Sequence, residues 1–584
     1  MLTLLKQALN RPSLVQSFSG VRTEFGLGPG IPPDLAALAM AYAYCYARDL
    51  PNNGRAVFLL GRDPRPTGLA ISKALARGFA AGARKAGYEL TLYDLGIITT
   101  PLAEVAVQAL HVQGGVMVTA SHNPIADNGF KFLTGYGMEA PGTAPPGALL
   151  SAQAMAEVIA AVRRLAGGED KAWEQIISEM PEDYADQILH EPNNEGMRMK
   201  AERAYLDQMG ADWGMTPHCL KPLTMGPVLV DPNGGAGCGI GARVLEHFGV
   251  RAIEINAELG YPEHGIDTDG IDIATGRHML LRVSRAAARY NCHFGVAFDY
   301  DADRGNLVLP GYDEAAIIPP QKVAAFNVAM VLARRTLERA AGLDRGPLAI
   351  VASDATSLVT HRIAAAFQAE VHQVETGEIN VVSKMHSLRA AGYDVPIGVE
   401  GANGGSIFAS ATCRDGLQAA LSAAQAESRP DIVETWLEAR RRSGETAVPE
   451  IRSWQMLPDL LATIPLNANV AMKLSAPPME QKIFKERLER FFHQLAWPKL
   501  QSRFRSFQFQ NFEGTEMVAE RTGDESGAWR VLLTAAHNRR AFVFIRGSRT
   551  EAGVWRLIVD ADHPADFPII RETALTIFEA AGKQ

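Results

Sequence analysis

The spacing of apolar and polar positions predicts alternating strands and helices over the first three quarters of the chain. Short runs rich in β-branched residues alternate with longer stretches of helical periodicity, such as residues 68–87 and 241–249. This alternation is typical of βαβ units and a largely parallel sheet. The runs predicted as strands form three groups: 56–61, 89–96 and 116–121; 228–231, 252–256 and 294–299; and 348–354, 371–377 and 396–401.

Two stretches interrupt this rhythm, and the pattern changes after the second. Residues 141–205 begin with a Pro- and Gly-rich turn and continue as an Ala-rich region, which predicts a helical insertion in the first domain. Residues 427–450 are charged and predict a helix followed by a linker. Beyond them the sequence predicts one helix, three strands and a last helix, the first four at 481–496, 529–535, 540–547 and 554–561.

The predicted fold class is therefore α/β: three successive α/β domains with mixed, largely parallel sheets, followed by a C-terminal α+β domain. We expect the domains at residues 1–205, 206–312, 313–430 and 431–584, the last of them beginning with the linker. The length of 584 residues agrees with this number, because a domain contains about 150 residues on average.

Composition and charge exclude several classes of protein. The net charge of −8 is spread along the chain, which argues against a nucleic-acid-binding protein with a basic face. No apolar run reaches the roughly 18 residues of a membrane-spanning helix, so we expect no membrane partner. The five cysteines form no CxxC pair and the N-terminus lacks a secretory cleavage site. These features indicate a cytoplasmic protein without a disulfide framework or a zinc ribbon.

The first of several polar loops that follow predicted strands contains Ser121. Ligands bind at this edge of open α/β sheets, where helix N-termini and loops converge. A serine hydroxyl is a weak nucleophile unless a base or a metal activates it. Here His122 is adjacent and Lys131 follows ten positions later. The alternative interpretation is a Ser/Asn-Pro turn that uses side-chain hydrogen bonds to the backbone.

The second loop carries aspartates at alternate positions, Asp299, Asp301 and Asp303. Such a set can direct several oxygen atoms at one hard cation such as Mg²⁺. A calcium-binding EF-hand would require Gly at the sixth position and Glu at the twelfth, and this sequence has Arg304 and Pro310 there. The alternative is a solvated acidic turn.

Two later loops have compositions suited to sugar and phosphate groups. Residues 400–406 combine Glu400 with glycines and an amide, which suits a polyhydroxylated ligand, although an ordinary Gly-rich loop is the alternative. Residues 546–553 combine guanidinium groups with hydroxyls in a tight turn. This combination forms phosphate cradles, and a charged hairpin turn is the alternative.

Together these loops resemble the α-D-phosphohexomutase family (phosphoglucomutase and phosphomannomutase), and the resemblance spans nearly the whole chain. Residues 19–22 (SGVR) and 61–65 (GRDPR) add supporting matches. The resemblance implies a phosphorylated nucleophile at Ser121 and one Mg²⁺ per chain, held by that serine and the three aspartates. It also implies Lys131 as general acid or base, with His122 as the second candidate. Arg22 and Arg304 would offset phosphate charge.

The resemblance further implies a reaction and a set of substrate contacts. The expected enzyme moves a phosphoryl group between the 1- and 6-positions of a hexose phosphate of the glucose or mannose type, through a bisphosphate intermediate. A hexose 1,6-bisphosphate would serve as activator, the four domains would surround a central cleft, and the enzyme would be a monomer or homodimer. The residues implied in sugar or phosphate binding are Glu400, Asn403, Ser406, Thr376, Gly377, Arg546, Ser548 and Thr550.

The sequence departs from the family pattern at several positions. Tyr300 and Ala402 stand where the family usually has Gly and Ser, and Asn380 lies in a loop that usually carries Lys. Arg549 replaces a usual Gly in the phosphate loop. The phosphotransfer residues thus match the family well and the sugar-binding residues match it poorly. These departures bear on the identity of the substrate more than on the type of reaction.

Two other functions remain open at this level. One is a catalytically inactive, mutase-like scaffold that binds sugar phosphates, as suggested by Ala402 and Asn380. The other is a dinucleotide-dependent oxidoreductase, because residues 237–242 fit G-x-G-x-x-A. Against it, residues 231–233 separate the strand from the glycines, and Glu254 comes too early for the ribose contact.

Overall fold

The computed structural model describes most of the chain. The described residues are 1–51, 53–138, 144–170, 172–181, 183–220, 226–266, 270–272, 275–444, 457–477, 479–548 and 553–583. Among them no helix combines the length and the apolar composition needed to cross a membrane.

The first sheet has six strands in the order β1-β2-β6-β5-β3-β4. Its strands are β1 Val15–Ser17, β2 Gly20–Glu24, β3 Arg55–Arg62, β4 Glu89–Ile97, β5 Gly114–Val118 and β6 Asp127–Thr134. Strand β3 pairs in parallel with β4 and β5, and the remaining pairs are antiparallel. Strand β5 ends at Val118, three residues before the predicted end, so Ser121 lies in the loop that follows.

Helices cover this sheet and extend beyond it. They are α1 Leu2–Leu9, α2 Pro33–Arg48, α3 Gly68–Ala86, α4 Thr100–Ala109, α5 Ala152–Gly167, α6 Ala172–Ser178, α7 Tyr184–Leu189 and α8 Asn193–Trp213. Helices α2 and α3 pack closely because Gly78 has no side chain: a Cβ there would lie 2.3 Å from the carbonyl oxygen of Met40.

The predicted helical insertion forms helices α5 to α8, and it shares a core with the first domain. Trp173 is buried against Tyr44 of α2, and the Tyr44 hydroxyl donates a 2.6 Å hydrogen bond to Asp170. The polar stretch at 190–200 lies mostly within helix α8, which continues through residue 205 to Trp213.

The second sheet has the strand order β12-β11-β7-β8. Its elements, with a small separate hairpin (β9 and β10), are β7 Val228–Asp231, β8 Ala252–Glu254, β9 Ile271–Asp272, β10 Arg277–His278, β11 Gly295–Phe298, β12 Gly305–Val308, α9 Ile240–His247 and α10 Leu281–Arg289. Strands β11, β7 and β8 run parallel and β12 is antiparallel to β11. The aspartate loop connects β11 to β12.

The third sheet has the strand order β14-β13-β15-β16. This segment and the helices after it comprise α11 Pro320–Ala340, β13 Ala349–Ser353, α12 Val359–Ala366, β14 Glu370–Val374, α13 Glu378–Ala390, β15 Ile397–Glu400, β16 Gly405–Phe408, α14 Gly416–Ser428, α15 Pro430–Arg442 and α16 Leu457–Thr463. Strand β13 is parallel to β14 and β15. Helix α14 packs on β12 and α9 of the second sheet.

The fourth sheet is antiparallel, with the strand order β17-β23-β22-β21-β18. Its segment comprises β17 Ala468–Ser475, α17 Gln481–Phe491, α18 Trp497–Leu500, β18 Phe504–Phe509, β19 Phe512–Glu513, β20 Glu516–Met517, β21 Trp529–Ala535, β22 Arg540–Gly547, β23 Val554–Ala561 and α19 Phe567–Lys583. Alternate residues of β21, β22 and β23 bury one face of the sheet in a core shared with α17 and α19. The three predicted strands have the predicted bounds, whereas β17 and β18 were not predicted.

The chain thus has the predicted fold class, with three mixed α/β sheets followed by an α+β segment. It divides into two compact units. The first contains Met1–Ile318 and Ile407–Ser428, and the second contains Pro319–Ser406 and Arg429–Gln584.

Candidate functional site

The loop after the central strand β5 places the Ser121 hydroxyl against the aspartate loop of the second sheet. Ser121 is buried, and its Oγ donates a 2.8 Å hydrogen bond to Oδ2 of Asp299. Nδ1 of His122 lies 3.4 Å from the same Oγ. The two loops predicted separately from sequence therefore meet at one point of the first unit.

Local hydrogen bonds hold Ser121 in an unusual backbone conformation. Its φ is 52°, in the left-handed region, which costs a residue other than glycine about 1–3 kcal/mol. The Ser121 backbone N–H donates to Oγ1 of Thr119 (2.8 Å), and the Thr119 hydroxyl donates to Oδ2 of Asp63 (2.7 Å). Burial raises the pKa of Asp63 to about 6, although Arg65 and Thr119 oppose the shift.

The three aspartates lie together, fully buried, in the loop between β11 and β12. One carboxylate oxygen from each of Asp299, Asp301 and Asp303 lies within 4.8 Å of the others. Burial, and then the charges of Asp303 and Asp301, raise the pKa of Asp299 well above its ordinary value. Burial would also raise the pKa of Asp303, but Arg414, Lys131 and Arg304 outweigh it and hold that pKa well below its usual range.

The carboxylate oxygens fit a hard cation. Within the described part of the chain, Oδ1 of Asp301 and Oδ1 of Asp303 are buried without a hydrogen-bond partner. A buried carboxylate oxygen without a partner is costly, and a divalent cation would remove that cost. This cluster is the only group of three or more potential ligand residues found among the described residues. The Asp triad can therefore hold a metal ion.

The basic residues predicted at the site surround these carboxylates. Nζ of Lys131 lies 3.1 Å from Oδ2 of Asp301 and 3.7 Å from Oδ2 of Asp303. Nε of Arg304 lies 3.7 Å from Asp299 and from Asp303, and its Nη2 lies 2.9 Å from Nδ1 of His122. Because arginine only donates, Nδ1 of His122 is an acceptor, which fixes its tautomer.

Arg22, on strand β2, is also buried in the first unit. Its Nη2 donates to the Ser19 carbonyl oxygen at 3.1 Å. Burial lowers the pKa of Arg22 to about 10, and the charges of Asp301 and Asp303 limit the decrease. Arg22 therefore remains a cation at neutral pH within the electrostatic range of the aspartates.

Two further residues bind the aspartates, and the sequence did not reveal them. Nη2 of Arg414 donates to Oδ2 of Asp303 at 2.6 Å. The Thr100 hydroxyl donates to Oδ2 of Asp301 at 2.8 Å, and the Thr100 N–H donates to the Asp301 carbonyl oxygen at 2.9 Å. Neither residue lies in a recognisable motif, so no local sequence signal could have identified them.

A close backbone contact brings Arg414 to the aspartate loop. A Cβ on Gly416, the first residue of α14, would lie 2.5 Å from the Arg304 carbonyl group. The Gly416 N–H donates to the Ala302 carbonyl oxygen at 3.3 Å. Glycine at 416 therefore allows the helix to approach the loop, and Arg414 precedes it by two residues.

In the second unit, the predicted sugar-binding residues Glu400, Thr376 and Gly377 lie together. Oε1 of Glu400 accepts a 2.8 Å hydrogen bond from the Gly377 N–H. The Thr376 hydroxyl and N–H both donate to Oδ1 of Asp354, at 2.6 and 2.9 Å. Nη1 of Arg546 donates to the Thr376 carbonyl oxygen at 3.0 Å, which connects this loop to strand β22.

In the second unit, Ala402 and Asn380, which depart from the family pattern, and the nearby Ser406 have structural roles. Ala402 packs against a cluster that includes Phe542 and Phe544. The Asn380 amide is buried and donates to the Glu375 carbonyl oxygen at 3.2 Å. Ser406 is buried on β16, where its hydroxyl oxygen accepts from the Asn327 amide at 3.0 Å. The side chain of Asn403 lies outside the described residues.

The predicted phosphate loop begins at the end of strand β22, and part of it is described. Arg546 pairs in register with Arg556 on β23, which in turn pairs with Lys473 on β17, so three basic residues form one row across the sheet. The Ser548 N–H donates to the Val554 carbonyl oxygen at 2.7 Å. Arg549 and Thr550 lie outside the described residues.

In the segment that fits a dinucleotide-binding motif, a carboxylate of the protein itself binds the backbone. Both carboxylate oxygens of Glu254 accept hydrogen bonds from the Gly239 N–H, at 2.8 and 3.1 Å. Helix α9 begins at the next residue, where a pyrophosphate would bind in a dinucleotide fold. A carboxylate at this position would repel a phosphate, which argues against the oxidoreductase alternative.

Comparison with known proteins gives two family matches. Residues 15–145 match the model described as phosphoglucomutase/phosphomannomutase, alpha/beta/alpha domain I, and residues 327–439 match domain III of the same family. A phosphoglucosamine mutase of Arthrobacter sp. (strain FB24) is 28% identical over 270 residues, covering 46% of this chain and 49% of that protein. One of Acinetobacter baylyi is 27% identical over 296 residues, covering 50% and 55%. The chain thus spans about half the length of the curated relatives it matches.

Solved structures share the fold over nearly the whole chain. A phosphoglucomutase/phosphomannomutase family protein of Burkholderia thailandensis superposes with a TM-score of 0.60 at 18% identity, covering 97% of each chain. The open form of pp63/parafusin from Paramecium superposes with a TM-score of 0.61 at 13% identity, covering 97% of this chain and 95% of that one. At these identities the similarity concerns the fold.

Proposed function

Because the chain belongs to the α-D-phosphohexomutase superfamily, we propose that it is a phosphosugar mutase acting through a phosphoserine at Ser121. The enzyme moves a phosphoryl group between the 1- and 6-positions of a hexose or hexosamine phosphate. The observation that carries this proposal is the 2.8 Å hydrogen bond from Ser121 Oγ to Asp299, within a buried cluster of three aspartates. This cluster lies among cations that can offset phosphate charge.

In the proposed first step, phosphorylated Ser121 donates its phosphoryl group to a hydroxyl of the bound sugar phosphate. The P–Oγ bond breaks and a bond forms between phosphorus and the sugar oxygen, while the proton of the sugar hydroxyl passes to a general base and Oγ of Ser121 takes up a proton. The resulting bisphosphate reorients and returns its other phosphoryl group to Ser121. Phosphoryl transfer depends mainly on positioning and charge stabilisation, and buried basic side chains provide both.

Magnesium is the proposed cofactor, with Asp299, Asp301, Asp303 and the oxygen on Ser121 as its ligands. The bound ion would supply Lewis-acid stabilisation of the transferring group. Oδ1 of Asp301 and Oδ1 of Asp303, which accept no hydrogen bond within the described part of the chain, support this assignment. One ion per chain is proposed, with a hexose 1,6-bisphosphate as activator.

Lys131 is the proposed general acid and base. Its Nζ is buried next to the aspartate cluster into which Ser121 points. The amine form of Lys131 would accept the proton of the sugar hydroxyl, and the ammonium form would return a proton to Oγ of Ser121. His122 is the weaker candidate because the lone pair of its Nδ1 already accepts from Arg304. Arg304 and Arg22 are proposed to offset the charge of the phosphoryl group.

Substrate binding is assigned to two groups of residues in the second unit. Glu400, Thr376 and Gly377 would contact sugar hydroxyls, since Glu400 binds the Gly377 N–H and Thr376 is the residue next to Gly377. Arg546 with Ser548 and Thr550 would bind the phosphate that is not reacting, and Arg556 and Lys473 extend the basic row beside Arg546. Asn403 and Ser406 complete the proposed set.

The candidate substrates belong to two classes, hexose phosphates and hexosamine phosphates. The departures from the family sugar loop predict an altered preference, because Ala402 offers no hydroxyl and packs in an apolar cluster. The curated relatives are phosphoglucosamine mutases. Glucosamine phosphates therefore join glucose and mannose phosphates as candidate substrates.

An inactive sugar-phosphate-binding scaffold is the second candidate function, and it rests on the same departures at Ala402 and Asn380. The intact set of Ser121 and three aspartates favours the mutase. We further propose that the domains follow the four sheets, at residues 1–205, 206–312, 313–430 and 431–584, and that the partner is a small sugar phosphate.

The decisive experiment is phosphopeptide mapping by mass spectrometry after incubation with glucose 1,6-bisphosphate and Mg²⁺. Phosphate on Ser121 in the wild type, and none in Ser121→Ala, supports the mutase. Turnover is then measured by ³¹P NMR on glucose, mannose and glucosamine phosphates. Absence of both phosphorylation and turnover on the whole panel would support the scaffold and reject the mutase.

A further inference from the structure

Arg65 binds the serine loop through an unusually complete set of hydrogen bonds. Its side chain is fully buried in the turn that follows β3. The guanidinium group donates to four backbone carbonyl oxygens, those of Ser121 (2.7 Å), Asn123 (2.8 Å), Pro124 (2.5 Å) and Asp127 (2.8 Å). Its Nε donates to Oδ2 of Asp63 at 3.1 Å. Every nitrogen of the guanidinium group is therefore used, and four of the five bonds hold the loop that carries Ser121.

The same guanidinium group also contacts the aspartate loop. Its central carbon lies 5.4 Å from the ring centroid of Tyr300. Tyr300 is buried, and in the sequence it stands between Asp299 and Asp301. The Tyr300 backbone is itself fixed, because its carbonyl oxygen accepts from the Ala236 N–H at 2.8 Å. Tyr300 stands where the family usually has Gly, which has no ring to pack on Arg65.

We propose that Arg65, packed against Tyr300, is a positioning residue that holds the Ser121 loop in register with the aspartate loop. Its catalytic consequence rests on the proposed role of Ser121 as nucleophile. The planar guanidinium group can direct donors at several carbonyl oxygens at once, whereas a lysine ammonium has three donors on one point. The contact also supports the left-handed backbone of Ser121, whose carbonyl oxygen is one of the four acceptors.

The first test is backbone hydrogen exchange of residues 119–129 in Arg65→Lys. Arg62→Lys is the matched control, because Arg62 lies three residues before Arg65, at the end of β3, but binds Asp94, at 2.9 Å to both oxygens. We expect exchange in this segment to be about tenfold faster in Arg65→Lys than in the control, at equal thermal stability. Equal exchange rates in the two variants would overturn the proposal, and this readout does not require turnover.

The second test separates positioning from substrate binding. In Arg65→Lys, kcat should fall by roughly 10- to 100-fold with KM changed by less than about twofold, because small misplacements of reacting groups reduce the rate. A rise in KM at unchanged kcat would overturn the assignment. If the wild type itself is neither phosphorylated nor active, the proposed function fails, and the exchange measurement still decides the structural role of Arg65.

Tyr300→Leu provides a second variant should Arg65→Lys fold poorly. Removal of the ring leaves the four carbonyl bonds of Arg65 in place, so the expected change in exchange is smaller and in the same segment. The double variant should show less than the sum of the two single effects, because the residues act as a unit. Additive effects, or faster exchange outside residues 119–129 only, would contradict the proposal.

Discussion

The hydroxyl of Ser121 donates a 2.8 Å hydrogen bond to the carboxylate of Asp299, 178 positions later in the chain. Both side chains are buried, and each lies in a loop that follows a strand of a different sheet. The aspartate cluster and its surrounding cations are therefore directed at one hydroxyl group. This contact is the physical basis for the proposal that Ser121 takes part in phosphoryl transfer.

Ser121→Ala should abolish sugar-phosphate interconversion and leave binding largely intact. The variant removes the oxygen that carries the phosphoryl group, so the rate should fall by about a thousandfold or more. Sugar-phosphate binding should persist because the phosphate and sugar contacts are assigned to other residues, and calorimetry measures it. Ser72→Ala serves as control, since the buried Ser72 hydroxyl has no hydrogen-bond partner among the described residues. Retained turnover in Ser121→Ala would reject the nucleophile.

Arg546→Ala should chiefly weaken substrate binding. A hydrogen bond to a charged group contributes about 1.5–3 kcal/mol, so KM should rise roughly 10- to 100-fold with a smaller change in kcat. Arg540→Ala, at the opposite end of the same strand, should leave KM close to the wild-type value. Steady-state kinetics on the active sugar phosphate provide the measurement. An unchanged KM in Arg546→Ala would contradict its role as phosphate anchor.

Much of the fold was predictable because local patterns determine it. Strands β21, β22 and β23 are short runs rich in apolar residues, and their observed bounds are those predicted. The serine and aspartate loops were also identified from short motifs. Strand β17 was not predicted, because its side chains are half-buried or exposed and supply little apolar signal.

Residues that reach the site over long sequence distances were not predictable. Arg414 contacts Asp303 from 111 positions away, and Thr100 contacts Asp301 from 201 positions away. Arg414 reaches the site through the close approach of backbones at Gly416, and Thr100 reaches it from the first turn of α4. A single sequence reveals neither contact. Likewise, Asn380 looked like a lost charge in a sugar loop, and its structural role became visible only with its bond to Glu375.

Arg414→Met should destabilise the metal-free protein. Removing one partner of a buried ion pair costs about 3–5 kcal/mol, because the carboxylate of Asp303 stays buried. Saturating Mg²⁺ should restore part of this loss, since a cation can replace the guanidinium charge. Chemical denaturation in EDTA and in Mg²⁺ measures both effects. Arg198→Met removes an exposed pair with Glu195 and should cost no more than about 1 kcal/mol in either condition. An equal loss for Arg414→Met with and without Mg²⁺ would show that Asp303 does not contribute to a metal site.

Asp301→Asn should weaken Mg²⁺ binding while preserving the shape of the loop. The amide keeps an oxygen for the bond from Thr100 but loses the charge that attracts a cation. Calorimetric titration should show at least about a tenfold weaker affinity for Mg²⁺, and EDTA should abolish wild-type turnover until Mg²⁺ is restored. The matched control is Asp186→Asn, an exposed carboxylate on α7. Wild-type Mg²⁺ affinity in Asp301→Asn would exclude this residue as a ligand.

Both ring nitrogens of His264 lie close to hydrogen-bond acceptors, which makes the stability of the fold dependent on pH. Nε2 lies 3.0 Å from Oδ2 of Asp231, and Nδ1 lies 2.9 Å from the Gly265 carbonyl oxygen. Burial lowers the pKa of His264, but the bond to Asp231, its charge and the carbonyl outweigh this effect and raise the pKa above 6.5. The charged imidazole therefore stabilises the fold fully below about pH 6.5, and this contribution is lost as the pH rises through the higher, folded-state pKa.

His264→Asn should lose more stability at pH 6 than at pH 9 in urea denaturation, relative to the wild type. His190→Asn, at an exposed position after α7, controls for loss of an imidazole. The same loss for His264→Asn at both pH values would show that protonation of His264 does not stabilise the fold.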